Sequence, residues 1–338
     1  VLFRSLLAQF VPPVIGGEER HVANLARALA ARGHEVHIAT LDTGSEPTPI
    51  PGVEIHRLAH VGSRVPGLYP TADRPLALPV PDPLTVRALG RVLARVRPEV
   101  AHAHNWIVNS WLAVPGAGRV PLVLSLHDYG HVCPTKRLVR DGALCAGPSP
   151  RACLPCAGDH YGSPARGAVM TTAVRGGRLV RERRVDLFAP VSRFVARANG
   201  FGDDDPRCRV VPNFVPDALH DLGAAPGAVP RDPALPEGPY VLFAGDLSRQ
   251  KGLDVLLEAW RRLGPDAGAE LVAIGRPDHD LGELPDGVHV HHRWEHERIV
   301  SAFVHATAAA LPSVWPDPCP TTVLEALALG VPLATTAS

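Results

Sequence analysis

The chain carries 338 residues, with 34 basic and 34 acidic side chains and therefore a formal net charge of zero. That length suits two domains with sizeable cores, and the balanced charge lacks the basic excess of a nucleic-acid-binding protein, so no nucleic-acid partner is expected. The 31 glycines and 36 prolines punctuate apolar segments rather than forming a low-complexity tract, no apolar run is long enough to span a membrane, and six cysteines in so long a chain do not make a secreted disulfide scaffold.

Val1 is not a natural start, and the apolar run over residues 1–10 reads as a damaged first strand of a chain clipped there. Pro12, Pro13, Gly16 and Gly17 form a loop. Val22, Leu25, Ala26, Leu29 and Ala30 then recur at helical spacing, and Arg32-Gly33 stops the helix. Residues 35–40 read as a strand. Strand, glycine turn and helix open a Rossmann-like half. The glycine pair either lets a backbone approach a ligand or simply turns the chain. It lacks the G-x-G-x-x-G spacing of a dinucleotide site. Residues 42–83 are loop-rich and give no pattern. Residues 84–96 read as a helix, and 100–105 and 120–127 as strands. His127 ends a buried strand at the edge where open α/β sheets place their ligands, and an imidazole there can donate to a sugar hydroxyl or move a proton. His102 and His104 are read as alternating around Ala103, with at most one facing any one site.

Cys133, Cys145, Cys153 and Cys156 follow in a Gly/Pro-rich insert at about residues 128–160. Four thiolates with a C-x2-C pair suit a closed structural zinc site or an iron–sulfur cluster, and free thiols are the alternative. Cys208 and Cys319 are isolated. Residues 165–184 read as a helix with a basic face, either solvated or touching acidic lipid or an acidic acceptor. Strands at 185–190 and 209–212, with a helix at 192–199 between them, complete the first half, and a Pro/Ala/Gly-rich linker covers 216–239.

Beyond the linker, apolar strands alternate with helices to the end of the chain, which argues for a parallel sheet covered on both sides. Lys251 is one of two lysines in an otherwise arginine-based chain. It opens a helix after a strand-ending glycine, where an ammonium suits a diphosphate leaving group. Asp278-His279-Asp280 is short enough to occur by chance and reads as loop. Residues 308–311 form a strand, a Pro-rich loop carries Asp317, and a helix over 322–329 is closed by Gly330. Asp317 and Glu325 stand with seven residues between them, Glu325 in the expected first helical turn. A carboxylate there can hold sugar or ribose hydroxyls. Thr322 and Glu325 equally fit a capping box, with Glu325 folded back on the Thr322 N–H.

The string LPSVWPDPCPTTVLEALALGVP, together with GGEERHVANLARALAARGHEVHIAT and FAGDLSRQKG, resembles the signature regions of family-4 retaining glycosyltransferases, in which a Glu-x7-Glu pair faces the donor. The resemblance covers nearly the whole chain. It implies an α/β GT-B fold: two Rossmann-like domains facing across a cleft, residues 1–214 on the acceptor side and 215–338 on the nucleotide-sugar side. Family members continue past this point, so the second domain is expected to be incomplete and the sequence a fragment. It further implies that Glu325 holds the ribose, that Asp317 (Asp in place of Glu) holds the sugar, and that Lys251 holds the diphosphate. The family's diphosphate-binding Arg is replaced by Asp246, and Arg249 is the expected substitute. Gly16, Gly17, Thr321 and Thr322 are expected beside the donor, and His127 close to the transferred sugar. The partners implied are a nucleotide-diphosphate sugar and a glycan, lipid or small-molecule acceptor, with no cofactor for catalysis. A cytoplasmic location follows, with peripheral contact at the inner membrane face. The competing expectations are a non-catalytic nucleotide-sugar-binding GT-B protein and a GT-B-type nucleotide-sugar epimerase.

Overall fold

A computed structural model describes residues 3–12, 16–64, 77–264, 268–292 and 294–336, with side chains from Leu7 onward. Pro13 and the loop-rich residues 65–76 lie outside the described residues. The chain divides into two compact units, Val1–Asn213 and Phe214–Ser338.

In the first unit the elements are β1 (Phe3–Ala8), α1 (Gly17–Ala31), β2 (Glu35–Leu41), β3 (Val53–Leu58), α2 (Pro83–Val96), β4 (Val100–His104), α3 (Val108–Leu112), β5 (Leu122–Leu126), β6 (Val139–Arg140), β7 (Ala143–Leu144), α4 (Pro150–His160), α5 (Pro164–Arg184), β8 (Leu187–Pro190) and α6 (Arg193–Ala198). Six strands form a parallel sheet in the order β3-β2-β1-β4-β5-β8. Chain order runs outward in one direction through β1, β2 and β3 and in the other through β4, β5 and β8. The reversal therefore lies between β1 and β4, the place where such sheets open a ligand crevice. Val22, Ala23 and Ala26 of α1 pack on Ala8, Val36 and Ile38, which buries the stripe anticipated from the helical spacing.

Three local readings change. β3 lies inside the stretch that gave no pattern, because an edge strand that is only half-buried carries little apolar periodicity. Residues 209–212 form no strand: Arg209 and Val211 donate to Phe188 and Pro190 backbone oxygens, but only Cys208 bridges, and the stretch is exposed. On α5, Arg181 is not solvated but only 1% exposed. Its guanidinium donates to Asn109 Oδ1 and the His131 backbone oxygen, both at 2.9 Å. It is an interior strut, with burial pulling its pKa down to about 10.

The second unit contains α7 (Asp217–Ala224), β9 (Tyr240–Ala244), α8 (Leu253–Leu263), β10 (Glu270–Ile274), β11 (Val288–His291), α9 (His296–Val304), β12 (Ala308–Leu311), α10 (Thr321–Ala328) and β13 (Leu333–Thr335). Its parallel sheet runs β11-β10-β9-β12-β13, so its reversal lies between β9 and β12. Leu253, Leu257 and Trp260 of α8 are buried against β9 and β10, each contributing roughly 1.5–3 kcal/mol of apolar burial. The stretch read as a linker is in fact part of this core. Leu219 and Leu235 are buried beside Ala328 and Leu329, and a Cβ at Gly223 would come within 2.6 Å of the Ala328 backbone oxygen.

Among the described residues, no helix is long and apolar enough to cross a membrane.

Candidate active site

At the reversal point of the second sheet, the loops after β9 and β12 are laced together. Val314 N donates to the Gln250 backbone oxygen at 3.0 Å, and Ser313 Oγ to the same atom at 3.1 Å. Gly252 has φ +81°, and a Cβ there would meet the Pro312 oxygen at 1.8 Å, so glycine is required twice over. This close approach brings the two motifs together. The Lys251 ammonium bonds the Asp317 carboxylate, whose side chain is 9% exposed, and lies 6.0 Å from the centre of the Trp315 ring. Ser248 Oγ accepts from Lys251 N at 3.2 Å and fixes the backbone beneath it.

Glu325 is 2% exposed. α10 begins at Thr321, so Glu325 lies in the second helical turn rather than the first, and the N-cap, Pro320, makes no side-chain cap bond. The Glu325 carboxylate points elsewhere: His296 Nε2 donates to its Oε1 at 3.0 Å. The capping-box geometry is therefore not the one formed, and His296, at the first position of α9, is a partner that no sequence motif marked. With no capping side chain, the first-turn N–H groups of α10, including those of Thr321 and Thr322, stand at the positive end of the helix. Arg249 is largely exposed and pairs with Asp254 on α8 at 3.1 Å. Asp246 is exposed. Asp278 and Asp254 both bond His279, so the Asp-x-Asp stretch is a bonded loop, as expected.

At the reversal point of the first sheet stand three histidines. His104 Nδ1 and His127 Nε2 share an N–H···N bond of 2.8 Å, and the His21 ring centre lies 5.0 Å from that of His127. Burial is the main cause that drives the His127 pKa down to about 4 and that of His21 to about 3, so both are neutral at physiological pH. His102 and His104 do not point apart. Residues two apart in a strand share a face, and these rings stack at 4.4 Å. Gly16 is the N-cap of α1 with φ −136°, a conformation any residue adopts, and Gly17 is the first helical residue. Glu18 follows. Its Oε2 accepts from Asn105 Nδ2 at 2.8 Å, while Oε1 is buried and has no hydrogen-bond partner among the described residues. Burial is the main cause of a Glu18 pKa of about 7. Asn105, with φ +63°, also bonds Lys136, which stands 3.6 Å from Asp128. Glu18 and Asn105 were not singled out in the sequence, and His104 was weighed there but set behind His127. What could have flagged them is their place at the C-terminal edge of the strands that flank the reversal point: His104 ends β4, Asn105 follows it, and Glu18 stands in the first turn of the helix after β1.

Among the described residues, two sets offer three metal-type ligand atoms within 4.8 Å of one another: His21, His104 and His127, and His37, Glu54 and His56. Neutral imidazoles suit such an ion chemically, but the 2.8 Å N–H···N bond already satisfies one nitrogen each of His104 and His127. Cys133, Cys145, Cys153 and Cys156 are half-buried free thiols.

The Glycosyltransferase Family 4 profile matches residues 15–219, and the Glycosyl transferases group 1 profile matches residues 238–338. The chain belongs to glycosyltransferase family 4. Relatives include a D-inositol 3-phosphate glycosyltransferase of Xylanimonas cellulosilytica, 28% identical over 88% of this chain and 70% of its own. A glycogen synthase of Mycobacterium tuberculosis is 24% identical over 97% and 76%. In structure the family-4 chain resembles sucrose-phosphate synthase from Thermosynechococcus elongatus, with TM-score 0.66 and 19% identity over 99% of this chain and 81% of that one. It also resembles Anabaena HepE in complex with UDP-glucose, with TM-score 0.61 and 15% identity over 100% and 81%. The two parallel sheets are those of the GT-B fold, and the protein is a glycosyltransferase.

Proposed function

We propose that this glycosyltransferase takes its sugar from a nucleotide-diphosphate donor held by the second unit and transfers it with retention at the anomeric carbon. The observation that carries the reading is the Lys251–Asp317 pair at the reversal point of the sheet, followed by α10 with its buried Glu325. Lys251 meets the charge that grows on the diphosphate as the glycosidic bond breaks, aided by the N–H groups of Thr321 and Thr322, so that transfer proceeds without a divalent cation. Asp317 orients the ammonium and accepts from sugar hydroxyls, and Glu325 accepts from the ribose. Arg249 reaches the outer phosphate by exchanging Asp254 for it. HepE, with UDP-glucose, and a plant starch synthase, with ADP, supply the precedent for a nucleotide donor. The acceptor contacts Gly16, Gly17 and His127, whose neutral imidazole suits a sugar hydroxyl better than a cation. The exposed Arg175, Arg183 and Arg184 on α5, with Val169 and Leu179, support peripheral contact of a cytoplasmic protein with an acidic membrane.

The competing reading, binding without transfer, rests on Asp246, an acidic side chain where the resembled motif has arginine. Proton NMR of the protein with α-linked nucleotide sugars and no acceptor separates the two. Slow release of the α-anomer ahead of mutarotation supports retaining transfer. First release of the β-anomer excludes retention, an isomerised sugar indicates an epimerase, and binding without any release supports the non-catalytic protein.

A further inference from the structure

The segment between β5 and α5 has a stability problem. No residue from Val139 to Cys156 is buried, and Leu144 and Leu154 are 56% and 42% exposed. β6 and β7 pair over only two residues each. A hairpin that short, with no apolar face, does not hold itself together in water. Segments without a core are normally stapled by a disulfide or a metal.

The fold brings the four insert cysteines to this one place. Cys133 lies in the turn after Tyr129, its N–H bonded to the Tyr129 oxygen at 2.8 Å. Cys145 leaves the hairpin, its N–H bonded to the Leu138 oxygen at 2.8 Å. Cys153 and Cys156 lie on α4, which is capped by Ser149 and interrupted by Pro155. The α4 end is tied back to the first cysteine: Tyr161 Oη donates to the Pro134 oxygen at 2.7 Å. Its base is fixed on α5, where a Cβ at Gly167 would come within 2.2 Å of Gly158 N. Cys145 lines one cavity with Ser149 and Ala152 at the start of α4, the helix that carries Cys153 and Cys156, so the hairpin-side and helix-side cysteines flank one place. They stand wider than a closed site, since the sets with ligand atoms within 4.8 Å among the described residues are the two that contain histidines. The roughly 3.8 Å sulfur spacing of a tetrahedral zinc, given bonds near 2.3 Å, would draw the exposed hairpin and the first turns of α4 together with the Cys133 turn.

We propose that Cys133, Cys145, Cys153 and Cys156 form a structural zinc site that holds the hairpin to α4. Each thiol gives up its proton on binding and the metal takes four thiolate sulfurs, with no open position for substrate. Zinc suits this place better than an iron–sulfur cluster because the segment is open to solvent and zinc has no redox chemistry to protect.

The test is metal content by mass spectrometry on protein purified without added metal. The expected result is about one zinc per chain, retained in Cys208→Ser/Cys319→Ser and lost in Cys153→Ser/Cys156→Ser. Cobalt exchanged into the wild-type protein should give the visible bands of a tetrahedral thiolate site, and a chelator should expose residues 141–148 to protease. The cobalt and protease readouts need no variant, so they hold even where the double serine variant does not fold. Iron with inorganic sulfide, four freely alkylated thiols without metal, or disulfides in the non-reduced protein would each overturn the proposal.

Discussion

His296 Nε2 donates to Glu325 Oε1 at 3.0 Å, joining the first residue of α9 to the second turn of α10. The bond holds a buried carboxylate in one orientation on the helix that follows the Asp317 loop. Glu325→Gln keeps an oxygen for His296 but removes the charge. Its melting temperature is expected to stay near wild type while donor affinity falls by about 1.5–3 kcal/mol, the range of a charged hydrogen bond. His296→Ala should also weaken donor binding, by roughly three- to tenfold, about half to one neutral hydrogen bond, with His296→Gln restoring part of it. Titrating a nucleotide sugar against all three variants measures this. Unchanged affinity in Glu325→Gln would return Glu325 to a purely structural role.

Lys251 and Asp317 are expected to separate stability from turnover. Lys251→Met leaves a carboxylate that is 9% exposed without its ammonium. Because the lysine side chain is 29% exposed, the loss is set between surface and buried pairs, at about 1–2 kcal/mol. Asp317→Asn in the same chain should recover most of that stability. It should not recover kcat/KM, expected to fall by about 3 kcal/mol, roughly 150-fold, for loss of one charge-stabilising donor. Denaturant unfolding and steady-state kinetics on the single and double variants decide it. Recovery of turnover together with stability would show that Lys251 acts only as a strut.

Much of this arrangement was legible in the sequence. The apolar periodicity of α1 and α8, and the alternation of strands and helices, predict both sheets because those faces are deeply buried. The strand–helix alternation also marked the ligand edge of each sheet, where Lys251 and Asp317 pair; their expected roles came from the resemblance of the two motifs. His296 and Glu18 went unmarked and His104 was set behind His127, because each acts through a contact distant in the chain: His296 reaches Glu325, His104 reaches His127, and Glu18 reaches Asn105. β3 escaped because an edge strand needs little apolar pattern, and the 216–239 stretch misled because its two core leucines sit among prolines and glycines.

Acid should destabilise the first unit through its histidines. His21 and His127 have pKa values lowered to about 3 and about 4 from an ordinary 6.5, so the folded state disfavours their protonation. The stability this represents is present above about pH 6.5 and is lost as pH falls toward the folded values, at up to roughly 1.4 kcal/mol per pH unit for each imidazole. The melting temperature of His127→Gln should therefore fall less steeply with acid than that of wild type. Parallel curves would show that His127 is not held neutral.

Glu18 carries the opposite sign. Its pKa is raised from 4.5 to about 7, chiefly by burial, so its contribution is present below about pH 4.5 and is lost as pH rises through 7. Glu18→Gln should melt higher than wild type at pH 8 and show no such advantage at pH 4. An equal difference at both pH values would contradict the buried Glu18 carboxyl.

The direct test of the donor site is a thermal-shift panel of UDP-, ADP- and GDP-sugars on wild type, Glu325→Gln and Lys251→Met. The account predicts that at least one nucleotide sugar raises the wild-type melting temperature and that the shift shrinks sharply in both variants. A shift of equal size in all three proteins would place the donor elsewhere and contradict the assignment of Lys251, Asp317 and Glu325.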